Sequence, residues 1–416
     1  MASMYEPLPN TDVALPRLPH GSKVLVTGAT GFIGGRLVER LVQQQDVQVR
    51  CIIRDSVRTA RLGHLPVELV HTDLSNAHGI TRAVKGVNYV FHCAYDWHSH
   101  RQNINGLRNL VEACATHSVS RLVHVSTFSV YEALPDGLLT EEAPDGDRSN
   151  KYVDTKLDLE EIIFDAVHNR GLASTVVQPT IVYGPFCAPW TNRPAEMLIF
   201  GDVVLPDFGE GLCNAVYIDD LVDGLILAAI SPAAVGERFI MSGPKPVTWA
   251  TFFTEMARAL GTKPPQFWPP ERIAKTYEVG LLKRLTKIVL NPKRLLKIVV
   301  GWNPARRVLK AACDALPGPL RKMVFSYYSV GIRTHGEIFL LDASYSWKVT
   351  AGSKKARLKL GYNPHFDFPR GMELTGRYLR WAYGDLLRLT ATRPLEPPSE
   401  ITPTSTKLAN PVQGDH

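Results

Sequence analysis

A chain of 416 residues, 45% of them hydrophobic, can bury a large core and form one large α/β domain or a domain with a smaller appended lobe. Its formal charge of +7 is local: residues 281–310 hold nine Lys or Arg and no acid, and removing those nine from +7 leaves −2. That argues against a nucleic-acid partner, whose binders spread basic residues over a face among aromatics.

Residues 1–20 are rich in Pro and polar side chains with no apolar run, which predicts a flexible leader and not a signal peptide. Val24-Leu25-Val26 then stops at Gly28-x-x-Gly31-x-x-Gly34, and apolar residues restart at Leu37, Val38, Leu41 and Val42, which reads as strand, tight turn, helix. This is a dinucleotide-binding turn. Gly28 permits a backbone angle closed to other residues, Gly31 lets a pyrophosphate approach the main chain, and Gly34 lets the helix lie close to the strand. The next predicted strand, residues 47–53, ends on Arg54. An NAD-binding fold places an acid near this point for the adenine-ribose 2′-hydroxyl, whereas a guanidinium suits a 2′-phosphate. NADP(H) is therefore the favoured cofactor, and Asp55, next in line, keeps NAD(H) as the alternative.

A third strand, residues 67–70, runs into Asp73 and Leu74, and a fourth, residues 89–92, into Cys93 and Ala94. Each ends where the C-terminal edge of a parallel sheet meets a cofactor. Asp73 reads equally as an acceptor for the adenine amino group and as a helix N-cap. A helix over residues 106–116 leads to an apolar strand over 121–125, which ends in the hydroxyl cluster Ser126-Thr127-Phe128-Ser129-Val130-Tyr131. Residues 135–149 read as a loop. Lys151-Tyr152-Val153-Asp154-Thr155-Lys156 then opens a long helical pattern that sets Tyr152 and Lys156 on one face.

The six cysteines, Cys51, Cys93, Cys114, Cys187, Cys213 and Cys313, show no C-x-x-C spacing, which predicts reduced thiols in a cytoplasmic protein and no metal site. After Pro185 the chain forms the predicted substrate lobe, in which Arg193 is a candidate diphosphate ligand or a plain surface residue. A basic apolar insertion occupies residues 278–323, and residues 393–416 form a Pro, Ser and Thr tail expected to be disordered. Within the insertion, Leu281, Leu282, Leu285, Ile288 and Val289 fall opposite Lys283, Arg284 and Lys287 on a helical wheel. After Pro292 the design repeats. Both pieces are too short to span a bilayer, so residues 281–300 either lie on an anionic membrane surface or cover the protein's own core.

The glycine turn, His92-Cys93-Ala94, Ser126-Thr127 with Val130-Tyr131, Tyr152 to Lys156, and Gln178-Pro179-Thr180-Ile181-Val182-Tyr183-Gly184-Pro185 together resemble the extended short-chain dehydrogenase/reductase family, of the NAD-dependent epimerase/dehydratase type. The likeness covers residues 23–261 and extends more weakly through 354–381. It implies a doubly wound Rossmann-type parallel sheet in a dinucleotide-binding domain, residues 21–185, and a smaller C-terminal α/β substrate lobe, residues 186–392. It implies further that Tyr152 is the general acid/base, that Lys156 binds the nicotinamide ribose and lowers the tyrosine pKa, and that Thr127 holds the substrate oxygen, with Ser126 as runner-up. Elementary chemistry agrees, because a phenol with pKa about 10 needs a nearby cation to act as a base at neutral pH. Cofactor contacts are implied at Gly28, Thr30, Gly31, Phe32, Ile33, Gly34, Arg54, Asp73, Leu74, Ala94, Tyr152, Lys156 and Pro179.

Departures from the family pattern narrow the chemistry. Its 4,6-dehydratases follow the Thr with an Asp-Glu pair, whereas Phe128 and Ser129 follow Thr127, so dehydration is disfavoured. Glu132 stands where the family usually has Gly, and the loop between Ala94 and Asn103 is short, although Asn103 matches the family's structural Asn. The sequence thus predicts an NAD(P)-dependent oxidoreductase acting at a hydroxyl or ketone carbon of a small molecule. A nucleotide sugar, for an epimerase or reductase, is the preferred substrate. A lipid-like alcohol or ketone, for a 3β-hydroxysteroid-type dehydrogenase or lipid ketoreductase at a membrane surface, is the alternative, and a non-catalytic cofactor-binding protein is the third reading. A homodimer is an assembly open to it.

Overall fold

The computed structural model describes residues 15–44, 46–132, 134, 136–146, 148, 150–269, 271–272, 337–341 and 343–391. The expected insertion at 278–323, the tail at 393–416 and most of the leader lie outside them. Val24, Leu25 and Val26 of β1 (Lys23–Thr27) are fully buried, and they divide between two cores. Val24 and Val26 join the core that holds Leu37, Val38 and Leu41 of α1 (Phe32–Gln43), while Leu25 joins Ile80 and Val84 of α2 (Ala77–Val84) in the other. A strand buried on both faces belongs inside a helix-covered parallel sheet.

That sheet is seven-stranded. Beyond β1 it contains β2 (Gln48–Ile53), β3 (Glu68–His71), β4 (Tyr89–His92) and β5 (Arg121–Val125). β6 (Asp136–Leu139) lies outside the sheet, and β7 (Ser174–Pro179) returns to it. A last strand, β12, arrives from the lobe over Arg238–Met241 and completes the order β12-β7-β5-β4-β1-β2-β3, with every neighbouring pair parallel. The chain runs outward from β1 to β3 and then restarts on the opposite side at β4, so the topological switch lies between β1 and β4. Helix α3 (His100–Thr116) and α4 (Lys151–Arg170) pack on the same face as α2, through Leu107, Leu110, Leu159 and Ile163.

Two expectations are corrected. The helix predicted over 106–116 begins six residues earlier, at His100, because the Ser99 hydroxyl accepts from the Gln102 N–H at 3.2 Å and caps it there. The stretch expected to be loop, residues 135–149, contains β6, which pairs in parallel with Lys348–Ala351 near the other end of the chain. No local pattern announces a partner that distant.

In the lobe, β8 (Ile181–Tyr183), α5 (Arg193–Phe200), β9 (Gly201–Pro206), β10 (Leu212–Cys213), β11 (Ala215–Tyr217) and α6 (Ile218–Ile230) precede β12. Next come β13 (Val247–Thr248), α7 (Trp249–Leu260), β14 (Gln266–Trp268), β15 (Glu337–Leu340), β16 (Lys348–Ala351), α8 (Lys354–Leu360) and α9 (Phe368–Ala391). Two buried ion pairs hold α6 against α1: Arg36 grips Asp219, and Arg40 lies 3.2 Å from Asp223. Asp219 and Asp223 are four apart, as are Arg36 and Arg40, so the pairs form successive rungs on facing helices. Arg193, half a candidate in the sequence, is an exposed residue at the start of α5.

Candidate active site

The cofactor crevice follows from the strand order. Thr27 ends β1 beside His92 at the end of β4, and their side chains meet through Thr27 Oγ1 and His92 Nδ1 at 2.8 Å. The Ala94 N–H donates to the same Thr27 oxygen at 3.3 Å, which fixes the chain leaving β4 against the glycine turn. Gly28 has φ +70°, and a Cβ there would lie 2.7 Å from the Ala94 nitrogen. A Cβ on Gly34 would strike the Gly28 carbonyl. Gly31 is exposed and caps α1 without any side-chain hydrogen bond, so the first N–H groups of the helix are left for an anion. This cradle exists only while its positions lack a Cβ, and it fits a dinucleotide pyrophosphate. Thr30 is half-buried in the same turn, while Phe32 and Ile33 pack back onto the core.

Towards the adenosine end, Arg54 leaves β2 with its guanidinium 3.4 Å from Asp96 and 3.8 Å from Asp73. Asp55 is engaged elsewhere, accepting from the Val57 N–H at 2.9 Å. Asp73 accepts from the Ser75 N–H at 2.8 Å, whereas the cap of α2 is Asn76, so the N-cap reading of Asp73 is replaced by a turn. The Leu74 carbonyl accepts from Asn109 Nδ2 at 2.9 Å, and α3 comes close to it at Gly106, where a Cβ would sit 2.8 Å from that of Leu74. Pro179 closes β7 beside Met241 and is buried.

At the opposite end of the crevice, Asn150 caps α4 by accepting from the Tyr152 N–H at 2.9 Å, and this start places Tyr152 and Lys156 one turn apart facing the end of β5. Tyr152 lies by Thr127, whose hydroxyl itself accepts from the Ser129 N–H at 3.2 Å. Lys156 Nζ donates to the Val125 carbonyl at 2.8 Å. Burial pushes the Tyr152 phenol up to about 12, partly opposed by the Thr127 hydroxyl, so the expected lowering of this pKa by Lys156 gives way to desolvation; burial likewise pulls the Lys156 ammonium down to about 8, partly opposed by Glu160. Beneath them His92 stacks on His124 with centroids 5.2 Å apart, and burial followed by the Lys156 charge holds His92 neutral, at about 3. The three residues singled out by sequence thus converge at the end of β5, with the buried Lys156 cation one turn behind Tyr152.

A family model described as the NAD dependent epimerase/dehydratase family matches residues 24–241, from within β1 to the end of β12. The chain belongs to this family. It is an NAD(P)-dependent oxidoreductase acting at a hydroxyl or ketone carbon. Among curated relatives, a 2-alkyl-3-oxoalkanoate reductase of Stenotrophomonas maltophilia is 30% identical over 254 residues, 58% of this chain and 76% of the relative. The sterol-4-alpha-carboxylate 3-dehydrogenase, decarboxylating, of Mus musculus is 26% identical over 326 residues, 73% of this chain and 86% of that one. Among solved structures, a dTDP-glucose 4,6-dehydratase of Streptomyces venezuelae with NAD bound has TM-score 0.62 at 20% identity, covering 87% of this chain and 98% of its own. The UDP-glucose 4-epimerase of Thermotoga maritima has TM-score 0.61 at 19% identity, covering 86% and 99%. At such identities these structures establish the shared fold alone.

In this member of the family, Ser126 points away from the site. Its hydroxyl donates to buried Glu160, which also accepts from Gln178 Nε2 at 2.9 Å, while Gln178 accepts from the Tyr131 hydroxyl at 2.6 Å. The sequence missed two residues at the site. Tyr95 and Trp97, in the loop after β4, form an aromatic cluster with Tyr152, and Lys156 Nζ lies 4.7 Å from the Tyr95 ring centroid. The signal was an aromatic pair just past a strand end at the cofactor edge. No described helix is long and apolar enough to cross a membrane, and no metal-ligating cluster occurs among the described residues.

Proposed function

We propose that this enzyme interconverts a lipid-like ketone and its secondary alcohol, with NADP(H) as cofactor. The observation that carries the chemistry is the convergence at the end of β5 of Thr127, Tyr152 and, one helical turn from Tyr152, the Lys156 ammonium held by the Val125 carbonyl. Bound nicotinamide would supply the hydride in reduction and take it in oxidation. Tyr152 gives its phenolic proton to the substrate oxygen during reduction and recovers it during oxidation, while Thr127 holds that oxygen in place. Lys156, oriented by the Val125 carbonyl one helical turn from Tyr152, would hold the nicotinamide ribose beside the phenol.

The substrate class is supported by the curated relatives, whose names refer to an oxoalkanoate and to sterols, including a sterol demethylase protein B of Methylococcus capsulatus that is 32% identical over 234 residues. The nucleotide-sugar enzymes share the fold at lower identity, so weight moves from the nucleotide-sugar reading to the lipid alternative. Arg54 supports NADP(H), because its guanidinium stands at the end of β2 where a 2′-phosphate is read. The deciding assay offers the purified protein NADPH or NADH with a 2-alkyl-3-oxoalkanoate, a 3-ketosteroid or a UDP-sugar, following nicotinamide absorbance and product chromatography. NADPH oxidation with either lipid ketone is the expected result. Interconversion of the UDP-sugar without net cofactor consumption returns the enzyme to the epimerase class.

A further inference from the structure

Trp97 is 71% exposed, yet its indole lies face to face with the Tyr152 ring, with centroids 5.1 Å apart and planes 11° from parallel. Tyr95 meets both rings edge-on, 5.0 Å from Trp97 and 5.3 Å from Tyr152. The backbone on either side of the indole is tied down. The Asp96 N–H donates to Asn103 Oδ1 at 2.8 Å, Asn103 Nδ2 donates back to the Asp96 carbonyl at 2.8 Å, and the His98 N–H donates to Asp96 Oδ1 at 2.8 Å. Trp97 is therefore presented at one place, and its free surface is not the by-product of a loose loop.

An indole is larger than a phenol ring, so the stacked pair offers apolar surface beside the edge that carries the reactive hydroxyl. A substrate whose oxygen reaches the Tyr152 and Thr127 hydroxyls carries its carbon skeleton past that edge. Ligand sites combine such aromatic walls with a few converging polar groups, and here the polar groups are the two hydroxyls. We infer that Trp97 is a specificity-determining residue, the wall against which a flat apolar skeleton such as a fused-ring ketone lies. This rests on reading Tyr152 and Thr127 as the pair that receives the substrate oxygen.

The test measures equilibrium binding to the full-length protein, loaded with oxidised NADP+ so that no hydride is available, of two ketones, a fused-ring 3-ketosteroid and cyclohexanone, in wild type, Trp97→Ala and Trp97→Phe. Stacking lost together with apolar area should weaken the steroid about tenfold in Trp97→Ala. Cyclohexanone and cofactor binding should change less than about twofold, and Trp97→Phe should recover most of the loss. In turnover, KM for the steroid should rise while kcat holds within a few-fold. If wild type binds the steroid and Trp97→Ala binds it equally well, the inference falls and the lipid reading stands. If wild type binds neither ketone, both fall together. Equal weakening of both ketones, or lost cofactor affinity, makes Trp97 a packing residue and overturns the assignment.

Discussion

Arg54 holds Asp96 at 3.4 Å across the mouth of the cofactor crevice, so the basic residue at the tip of β2 is tied to the loop that carries Tyr95 and Trp97. A 2′-phosphate reaching Arg54 competes with this carboxylate and with Asp73, 3.8 Å from the same nitrogen. Asp96→Asn should tighten 2′,5′-ADP binding roughly two- to fivefold, the range for an exposed ion pair, and leave 5′-AMP unchanged. Arg54→Asp should reverse the preference towards NAD(H). Competition titrations read both, and a wild-type enzyme that already prefers NAD(H) disposes of the assignment.

Tyr152→Phe should reduce turnover by ~100-fold or more while cofactor affinity stays within a few-fold, because the ring still packs under Trp97 but carries no proton to move. Lys156→Met should impair both. A Phe variant that keeps more than about a tenth of the rate would falsify the acid/base role.

Burial draws Lys156 down to about 8, whereas Tyr152, pushed up to about 12, stays protonated throughout the working range. The titration seen in ketone reduction should therefore be that of Lys156, whose positive charge is lost as pH rises through about 8. We expect kcat/KM to be level near neutrality and to decline above that value. The sign for folding is opposite: the unfolded chain, near the ordinary 10.5, binds this proton more tightly, so the lysine's contribution to stability improves between about 8 and 10.5. An activity profile level up to the ordinary lysine range rules the assignment out.

Asp223→Ala should leave the buried Arg40 guanidinium without its partner on α6 and destabilise the protein by ~3–5 kcal/mol. In a chain of this size the melting temperature should drop by several degrees. An unchanged Tm would mean that the rung contributes nothing to holding the lobe on α1.

The basic apolar stretch at 281–300, outside the described residues, should bring the protein down with anionic phospholipid vesicles at low salt and release it as salt rises. Changing Lys283, Arg284, Lys293 and Arg294 to Glu should keep it in the supernatant. Wild-type protein that fails to sediment at low salt removes the membrane role.

Gly28, Gly31 and Gly34, the apolar run before them, and the four-residue spacing of Tyr152 and Lys156 were legible in the sequence because each is a relation between neighbours along one strand, turn or helix. The start of α3 was misplaced because one side chain, Ser99, decides it. Between adjacent Ser126 and Thr127 the four-residue register to Tyr131 favoured Thr127, but that buried Glu160 engages Ser126 is a matter of packing. The pairing of β6 with β16, the Arg54–Asp96 tie and the stacking of Trp97 on Tyr152 join segments far apart in the chain. Periodicity carries no record of such contacts, because they arise only when the sheet and its two cores bring strand ends and loops to one edge.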